Sequence, residues 1–207
     1  MSICYRLFSH TAIAVGAAVS LAGTANAAVV RWECNVSIPA NTTGLFFNVS
    51  ANSYGTSNVT GWDLQIYSNS STPSIVFNLA NFAGLQSGAA PFYLPAANLP
   101  EGTLVSASAF FTTSTDGATP ATFAGGGPTT GGAWFRNAVN YFGFKFQAND
   151  GFVHYGFGQM TVGATANVRT LNYLEWETVP GVGLVVPAPG ALALAGLCSL
   201  ARSRRRR

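Results

Sequence analysis

The chain has 207 residues, and only 8% of them are Asp, Glu, Lys or Arg, whereas an ordinary soluble domain has roughly 25%. This composition excludes a charge-rich disordered segment and is not that of a typical cytosolic enzyme. Residues 28–178 carry four basic and seven acidic side chains, a net charge of −3. The overall basic excess comes from the terminal segments and gives no reason to expect a nucleic-acid partner.

The first 27 residues have the features of a secretory signal peptide. Arg6 supplies a positive charge ahead of an apolar run at residues 11–23, and Ala25 and Ala27 are small residues that signal peptidase accepts. The apolar run is shorter than the about 20 residues that a permanent membrane span needs. We therefore predict cleavage after Ala27 and export of the remaining chain.

Residues 28–178 are expected to form one β-rich domain. Alternation is clearest where Trp62, Leu64 and Ile66 share one side of a segment and Asp63 lies on the other. Such alternation is typical of strands with one buried face. The predicted strands are residues 29–36, 44–49, 61–67, 74–79, 103–112, 139–147, 152–162 and 168–178.

No apolar stripe of helical period extends over ten or more residues of this domain. Turns rich in Gly, Asn, Ser and Thr separate the strands, and residues 115–132 are predicted to form a long loop. Eight antiparallel strands in one domain predict an all-β fold, a single antiparallel β-sandwich of jelly-roll-like type.

His154 is the one histidine outside the signal peptide. A lone histidine cannot supply the clustered ligands of a zinc site, and the chain has no G-x-S-x-G nucleophile motif. A Ser-His-Asp triad stays open on residue types, because Asp63, Asp116, Asp150 and many serines are present. We interpret His154 as a partly exposed, hydrogen-bonded strand residue and expect no cofactor and no metal.

Cys34 has no intrachain disulfide partner within the domain, since Cys4 and Cys198 lie in the terminal segments. We expect it to pack as a small apolar side chain, with a reactive or intermolecular thiol as the alternative.

Glu175 and Glu177 share one strand face about 7 Å apart, a distance that a pair of glycosidase carboxylates could use. They lie in no recognisable motif, so we interpret them as charges on a solvated strand face.

Aromatic side chains could form a flat platform for sugar rings, which would make the domain a carbohydrate-binding module. Rings on alternating strands more often pack in the core or against a neighbouring strand. The candidates are Trp62, Tyr67, Tyr93, Trp134, Tyr141, Tyr155 and Tyr173.

The C-terminal segment has three parts. Pro187, Ala188 and Pro189 precede an apolar run at residues 190–201, which an arginine cluster follows. Because prolines cannot lie inside a regular helix, about 12 apolar residues would span only roughly 18 Å of the ~30 Å hydrocarbon core. The tail is therefore predicted to hold the protein at the membrane only temporarily. The arginines expected on its cytoplasmic side are Arg202, Arg204, Arg205, Arg206 and Arg207.

This tail resembles the PEP-CTERM protein-sorting signals of bacterial exported proteins. Those signals combine a Pro-Glu-Pro motif, a short apolar helix and an arginine cluster, and they are associated with exosortase processing and with extracellular polysaccharide or biofilm production. Ala188 stands where the motif has Glu, so the tail looks like a variant form. The resemblance implies an exosortase-like enzyme as partner and a precursor held at the inner membrane.

A weaker resemblance covers about 40 residues of the domain. Bacterial proteins with such tails often carry a similar block, with a Trp where Phe157 stands here. Its glycines Gly143, Gly156 and Gly158 are expected to allow close backbone approach or bulges in adjacent strands. No enzymatic activity comes with this resemblance. The matching residues are 141–146, 154–158 and 173–177.

These patterns predict a non-catalytic protein of the cell surface or extracellular matrix. Signal peptidase, the exosortase-like enzyme and the inner membrane are its expected transient partners, with extracellular polysaccharide as a further candidate and no nucleic acid. A carbohydrate-binding module and a secreted hydrolase stay open as alternatives. The predicted parts are a signal peptide at 1–27, the β-sandwich at 28–178, a linker at 179–186 and the sorting signal at 187–207.

Overall fold

The computed structural model describes residues 28–68, 74–80, 82–87, 95–113, 119–121 and 133–188. Every regular element within these ranges is a β-strand, so the predicted all-β class is confirmed. The strands are β1 (Val29–Ser37), β2 (Leu45–Asn48), β3 (Ser53–Gly55), β4 (Leu64–Tyr67), β5 (Val76–Leu79), β6 (Gly84–Gln86), β7 (Leu104–Val105), β8 (Phe111–Thr113), β9 (Thr119–Pro120), β10 (Ala138–Gln147), β11 (Val153–Val162), β12 (Arg169–Glu177) and β13 (Leu184–Val185).

The signal peptide with Ala25 and Ala27 lies outside the described residues, and so do Pro189, the apolar run of the tail and its arginine cluster. The described part of the chain contains no helix long and apolar enough to cross a membrane.

The strands form two larger antiparallel sheets and one small one. The six-stranded sheet has the order β1-β12-β11-β10-β6-β8, the five-stranded sheet has the order β3-β2-β4-β5-β9, and β13 pairs with β7. The long strands β10, β11 and β12 follow one another in the chain and pair consecutively. A jelly roll is built from two Greek keys, whereas this consecutive pairing is a meander.

The two larger sheets share one apolar core. Phe142 of β10 lies 5.1 Å from Phe77 of β5 between ring centroids. Trp32 of β1 similarly lies 6.2 Å from Phe47 of β2. Phe47, Phe77 and Phe142 have no exposed surface. Aromatic side chains at alternate positions of the long strands thus hold one sheet against the other.

Glycines on β11 make room for the phenylalanines of β10. Phe142 lies opposite Gly158 in the strand register, and Phe144 lies opposite Gly156. A Cβ on Gly156 would come within 2.7 Å of Phe144 Cζ, and a Cβ on Gly158 would overlap the Phe142 ring. The close approach expected at these glycines is confirmed, and the phenylalanine rings fill the space that the missing side chains leave.

The segment 103–112, predicted to form one strand, forms two short strands in different sheets. β7 pairs with β13, whereas β8 pairs with β6. Between them the backbone N–H of Ala109 donates to the carbonyl of Ser106 at 3.0 Å and closes a turn. The small residues at 106–109 have no large side chain to pack on a sheet, which explains why the strand breaks there.

A second apolar cluster lies on the outer face of the six-stranded sheet. Phe157 and Tyr173 of that face pack with Val105 and Val186, which the β7–β13 pair brings over the sheet. Val186 has no exposed surface. The structure therefore differs from the prediction of a linker at residues 179–186, because this segment carries β13 and supplies a core side chain.

Candidate functional site

His154 is buried, with 1% of its surface exposed. Its Nδ1 lies 2.8 Å from the backbone carbonyl oxygen of Glu177, and its Nε2 lies 3.0 Å from Oδ2 of Asp150. The prediction of hydrogen bonding is confirmed, but that of partial exposure is wrong, because Phe146 and Trp176 pack against the imidazole. Within the described ranges no hydroxyl or thiol group bonds to either ring nitrogen.

Glu175 and Glu177 occupy different environments. Glu177 is 3% exposed, and its Oε1 accepts hydrogen bonds from the backbone N–H groups of Ala28 and Val179. Glu175 is half-buried and forms an ion pair with Arg31, with 3.3 Å between Nη1 and Oε2; burial raises its pKa. The prediction of a solvated face is wrong for Glu177, because both segments that it binds fold over that end of β12.

The aromatic candidates do not form a flat platform among the described residues. Three of them are less than a tenth exposed, namely Trp134, Tyr155 and Tyr173. The half-buried candidates are divided between the sheets, with Trp62 and Tyr67 at β4 and Tyr141 on β10. Tyr93 lies outside the described residues.

Cys34 is half-buried against the main core. Its Sγ donates a hydrogen bond to the carbonyl of Trp32 at 3.5 Å, and burial raises the pKa of the thiol to about 12. The thiol is therefore protonated at neutral pH and poorly nucleophilic, in keeping with a small packing residue. In the part of the chain that the structure covers, no group of three or more His, Cys, Asp and Glu side chains could hold a metal ion.

The last described residues of the chain, Val186 to Ala188, pass from the core to the surface. The backbone N–H of buried Val186 donates to the carbonyl of Thr103, and the carbonyl of Val186 accepts from the N–H of Gly102, both at 2.9 Å. Pro187 is half-buried and Ala188 is exposed. The predicted sorting motif thus begins at the surface, directly after the last buried residue of the described chain.

A pocket of about 300 Å³ lies beside Pro187 and Ala188, on the outer face of the six-stranded sheet. A row of side chains crosses β1, β12, β11 and β10 along its base. Glu33 is opposite Tyr173, Tyr173 is opposite Gln159, and Gln159 is opposite Tyr141 in the strand registers. Pro187 lines the pocket as well. We call this cavity the outer-face pocket.

Amide and phenol groups in the outer-face pocket form one hydrogen-bonded network. Gln159 Nε2 donates to the hydroxyl oxygens of Tyr141 at 2.8 Å and Tyr173 at 3.3 Å. Asn172 Nδ2 donates to Gln159 Oε1 at 2.8 Å and to Thr161 Oγ1 at 2.9 Å. Because each phenol oxygen accepts from Gln159, each phenol proton can be donated to another group.

Arg31 lies over the Tyr173 ring, with 3.6 Å between Cζ and the ring centroid. Its Nε is 2.6 Å from Oε1 of Glu33, and its Nη1 binds the carboxylate of Glu175. One cation therefore faces two carboxylates, which leaves a local net charge of −1. Burial raises the pKa of Tyr173, so its hydroxyl stays protonated at neutral pH.

Sequence reasoning named Tyr141 and Tyr173 only as stacking rings and missed the polar partners Gln159, Asn172 and Arg31. Outward-facing polar residues on the long strands were a visible signal, but pairing them needs the register. Two irregularities shift that register, one in β1 between Glu33 and Val36 and one at Asn172 of β12, which lies between the partners of Gln159 and Met160. Such bulges change which residues lie side by side.

No protein-family model, curated protein or solved structure matches this chain. The functional conclusions below therefore rest on the pattern of the tail and on the geometry of the described residues.

Proposed function

We propose that the chain is an exported, non-catalytic protein of the bacterial cell surface or extracellular matrix, sorted through a C-terminal signal of the PEP-CTERM type. In this proposal signal peptidase removes residues 1–27, and the tail holds the precursor at the inner membrane. An exosortase-like enzyme then cuts near Pro187–Pro189, so that the mature protein reaches the surface or the surrounding matrix.

The position of Ala188 is the observation that carries this proposal. Val186 is buried and hydrogen-bonded on both sides, whereas the next two residues lead out to the surface. A cut after Pro187 would therefore remove no side chain of either apolar cluster. A processing enzyme could reach Pro187 and Ala188 without unfolding the domain, since Ala188 is exposed.

We further infer that the two larger sheets form a single β-sandwich domain. Their shared core and the contacts between Phe77 and Phe142 support this architecture. The proposed mature domain has few charged groups and a net charge of −3. These properties suit a structural or adhesive component that lies among polymers outside the cell.

The proposal is tested by pulse-labelling the full chain in bacterial cells that contain an exosortase-like enzyme and following it through inner-membrane, surface and medium fractions. The wild type is expected to move from an inner-membrane precursor to a shorter surface or released form. Ala188→Glu restores the Pro-Glu-Pro motif at an exposed position and is expected to be processed at least as fast. Ala188→Gln controls for side-chain size without the charge.

Replacement of the five tail arginines by glutamine is expected to block this conversion, because the cytoplasmic positive charges would be lost. Arg136→Gln, at an exposed position of the domain, is the matched control and should be processed like the wild type. A five-glutamine chain that reaches the surface at the wild-type rate would refute the proposal.

A further inference from the structure

We propose that the outer-face pocket is a binding site for a neutral saccharide. This inference is separate from the sorting proposal, because it concerns side chains of the folded domain and not the route by which the domain is exported. It differs from the flat aromatic platform considered above, since polar groups rather than ring faces would make most of the contacts.

The base of the pocket presents a row of polar groups to a ligand. Neighbouring strands lie about 4.8 Å apart, so the row Glu33, Tyr173, Gln159 and Tyr141 places a polar group on each of four successive strands. A carboxylate accepts hydrogen bonds, a phenol both donates and accepts, and an amide does both. Sugar hydroxyls are donors and acceptors at once, so they can accept from the two phenols and donate to the carboxylate of Glu33. Both N–H groups of Gln159 are already donated to the tyrosines, so a sugar would reach this amide through the second lone pair of Oε1.

The network orients these groups before any ligand arrives. Gln159 is fixed by three polar neighbours, since it donates to the hydroxyls of Tyr141 and Tyr173 and accepts from Asn172, which Thr161 holds in turn. A site whose polar groups are already ordered loses less side-chain entropy when it binds. Tyr173 is 3% exposed and lies on a packed strand, so the base of the pocket is rigid.

The local charge favours a ligand without a carboxylate. Among the described residues Arg31 is the one cation that lines the pocket, and Glu33 and Glu175 both pair with it. An acidic sugar would have to compete with these carboxylates for the guanidinium and would meet a net charge of −1. A neutral sugar needs no such exchange.

The size and the position of the pocket define how such a ligand would lie. A volume of about 300 Å³ is at the lower end for ligand sites, so we expect one sugar ring or the end of a disaccharide to enter. The guanidinium of Arg31 covers one face of the Tyr173 ring. Contact with Tyr173 would therefore be made by its hydroxyl. Pro187 and Ala188, the last described residues, form part of the wall of the pocket.

The test uses the full chain produced in its processing host and purified in the form that the cells hold, whether or not the tail has been cut. Saturation-transfer NMR and calorimetry would be run with methyl glycosides of glucose, galactose, mannose and N-acetylglucosamine and with their disaccharides. Methyl glucuronide is the acidic counterpart. We expect at least one neutral probe to bind, at least tenfold more tightly than the glucuronide.

Gln159→Leu removes the central amide and is expected to weaken binding of that probe at least tenfold. Gln147→Leu is the matched control, because Gln147 is exposed at the end of β10 and away from the pocket. If Gln159→Leu does not fold, Tyr141→Phe removes a single hydroxyl and should still weaken binding severalfold. Tyr54→Phe, on β3 of the other sheet, is its control and should bind like the wild type.

Three results would overturn the proposal. They are the absence of binding to every neutral probe, binding that both pocket variants leave unchanged, and tighter binding of the glucuronide. None of them bears on whether the tail is processed, so a failure here is distinguishable from a failure of the sorting proposal.

Discussion

Asp63 is a carboxylic acid enclosed at the edge of the main core, with 7% of its surface exposed. Its Oδ2 accepts a hydrogen bond of 2.8 Å from the backbone N–H of Val49. Burial raises the pKa of Asp63 from 3.8 to about 6, although the bond from Val49 opposes the shift. The folded state therefore takes up a proton at higher pH than the unfolded chain does.

Stability is consequently expected to increase as the pH falls through about 6, because protonation relieves the burial of a charge. Between about pH 7 and about pH 4.5 this group should add about 2 kcal/mol to the free energy of unfolding. Asp63→Asn should remove that increment, since the amide does not titrate. Urea unfolding at both pH values measures it, with Glu101→Gln, at an exposed position, as control. Equal pH dependence in wild type and Asp63→Asn would contradict this account.

Arg169 is a fully buried cation, 1% exposed, whose hydrogen bonds go to neutral oxygens. Nη1 donates to Ser68 Oγ at 2.9 Å and to the carbonyls of Ser74 and Ala166, and Nη2 donates to the carbonyl of Pro39 at 2.9 Å. Burial lowers its pKa to about 10, so it stays charged at neutral pH. One side chain of β12 thus ties together backbone from three separate loops.

Arg169→Met is expected to lower the free energy of unfolding by about 3 kcal/mol, because it leaves several buried oxygens without a donor. Glu101→Gln replaces an exposed charged side chain and should change stability by less than about 0.5 kcal/mol. Urea denaturation of both variants at neutral pH measures the two changes in the free energy of unfolding. A loss below about 1 kcal/mol for Arg169→Met would show that these bonds contribute little.

The pairing of β10 with β11 requires that Phe142 and Phe144 of one strand lie opposite Gly158 and Gly156 of the other. Gly158→Ala should destabilise the protein by about 2 kcal/mol, since its Cβ would overlap the Phe142 ring. Gly55→Ala is the control, because a Cβ there would meet its nearest atom at 3.5 Å. Adding Phe142→Leu to Gly158→Ala should recover part of the loss in thermal unfolding. If the second substitution recovers no stability, overlap between the added Cβ and the Phe142 ring is not the cause of the loss.

The short strand β13 and the residue that follows it are expected to contribute to the stability of the domain. Val186→Ala is expected to reduce the free energy of unfolding by about 2 kcal/mol, because Val186 has no exposed surface. Val185→Ala, at a neighbouring position that is 51% exposed, should have little effect. Urea unfolding and limited proteolysis compare the two. Equal effects of both substitutions would mean that residues 179–186 are a linker after all.

The long strands could be predicted from sequence because their aromatic residues alternate strongly, as in the run that contains Phe142, Phe144 and Phe146. The short strands β3, β6, β9 and β13 were missed, since three or fewer residues carry too little periodicity to recognise. β9 lies within residues 115–132, which were predicted to form a loop. The burial of His154 depends on rings of other strands, and the outer-face pocket depends on registers that bulges shift. Both are tertiary properties that no local pattern contains.

For the whole molecule, the proposed processing would change the charge as well as the length. Six of the ten basic residues lie in the two terminal segments, whereas all seven acidic residues lie in residues 28–178. Removal of both segments would turn a net charge of +3 into one of −3. The mature domain would then carry no cluster of positive charge and would expose the outer-face pocket next to its new C-terminus.

Export and processing at both ends would change the mass of the chain. The intact mass of the protein in each cell fraction is therefore the decisive measurement. We predict that the surface or released form begins at Ala28 and ends within residues 186–189, without the arginine cluster. A protein that keeps its full C-terminus and stays in the inner-membrane fraction would contradict the account.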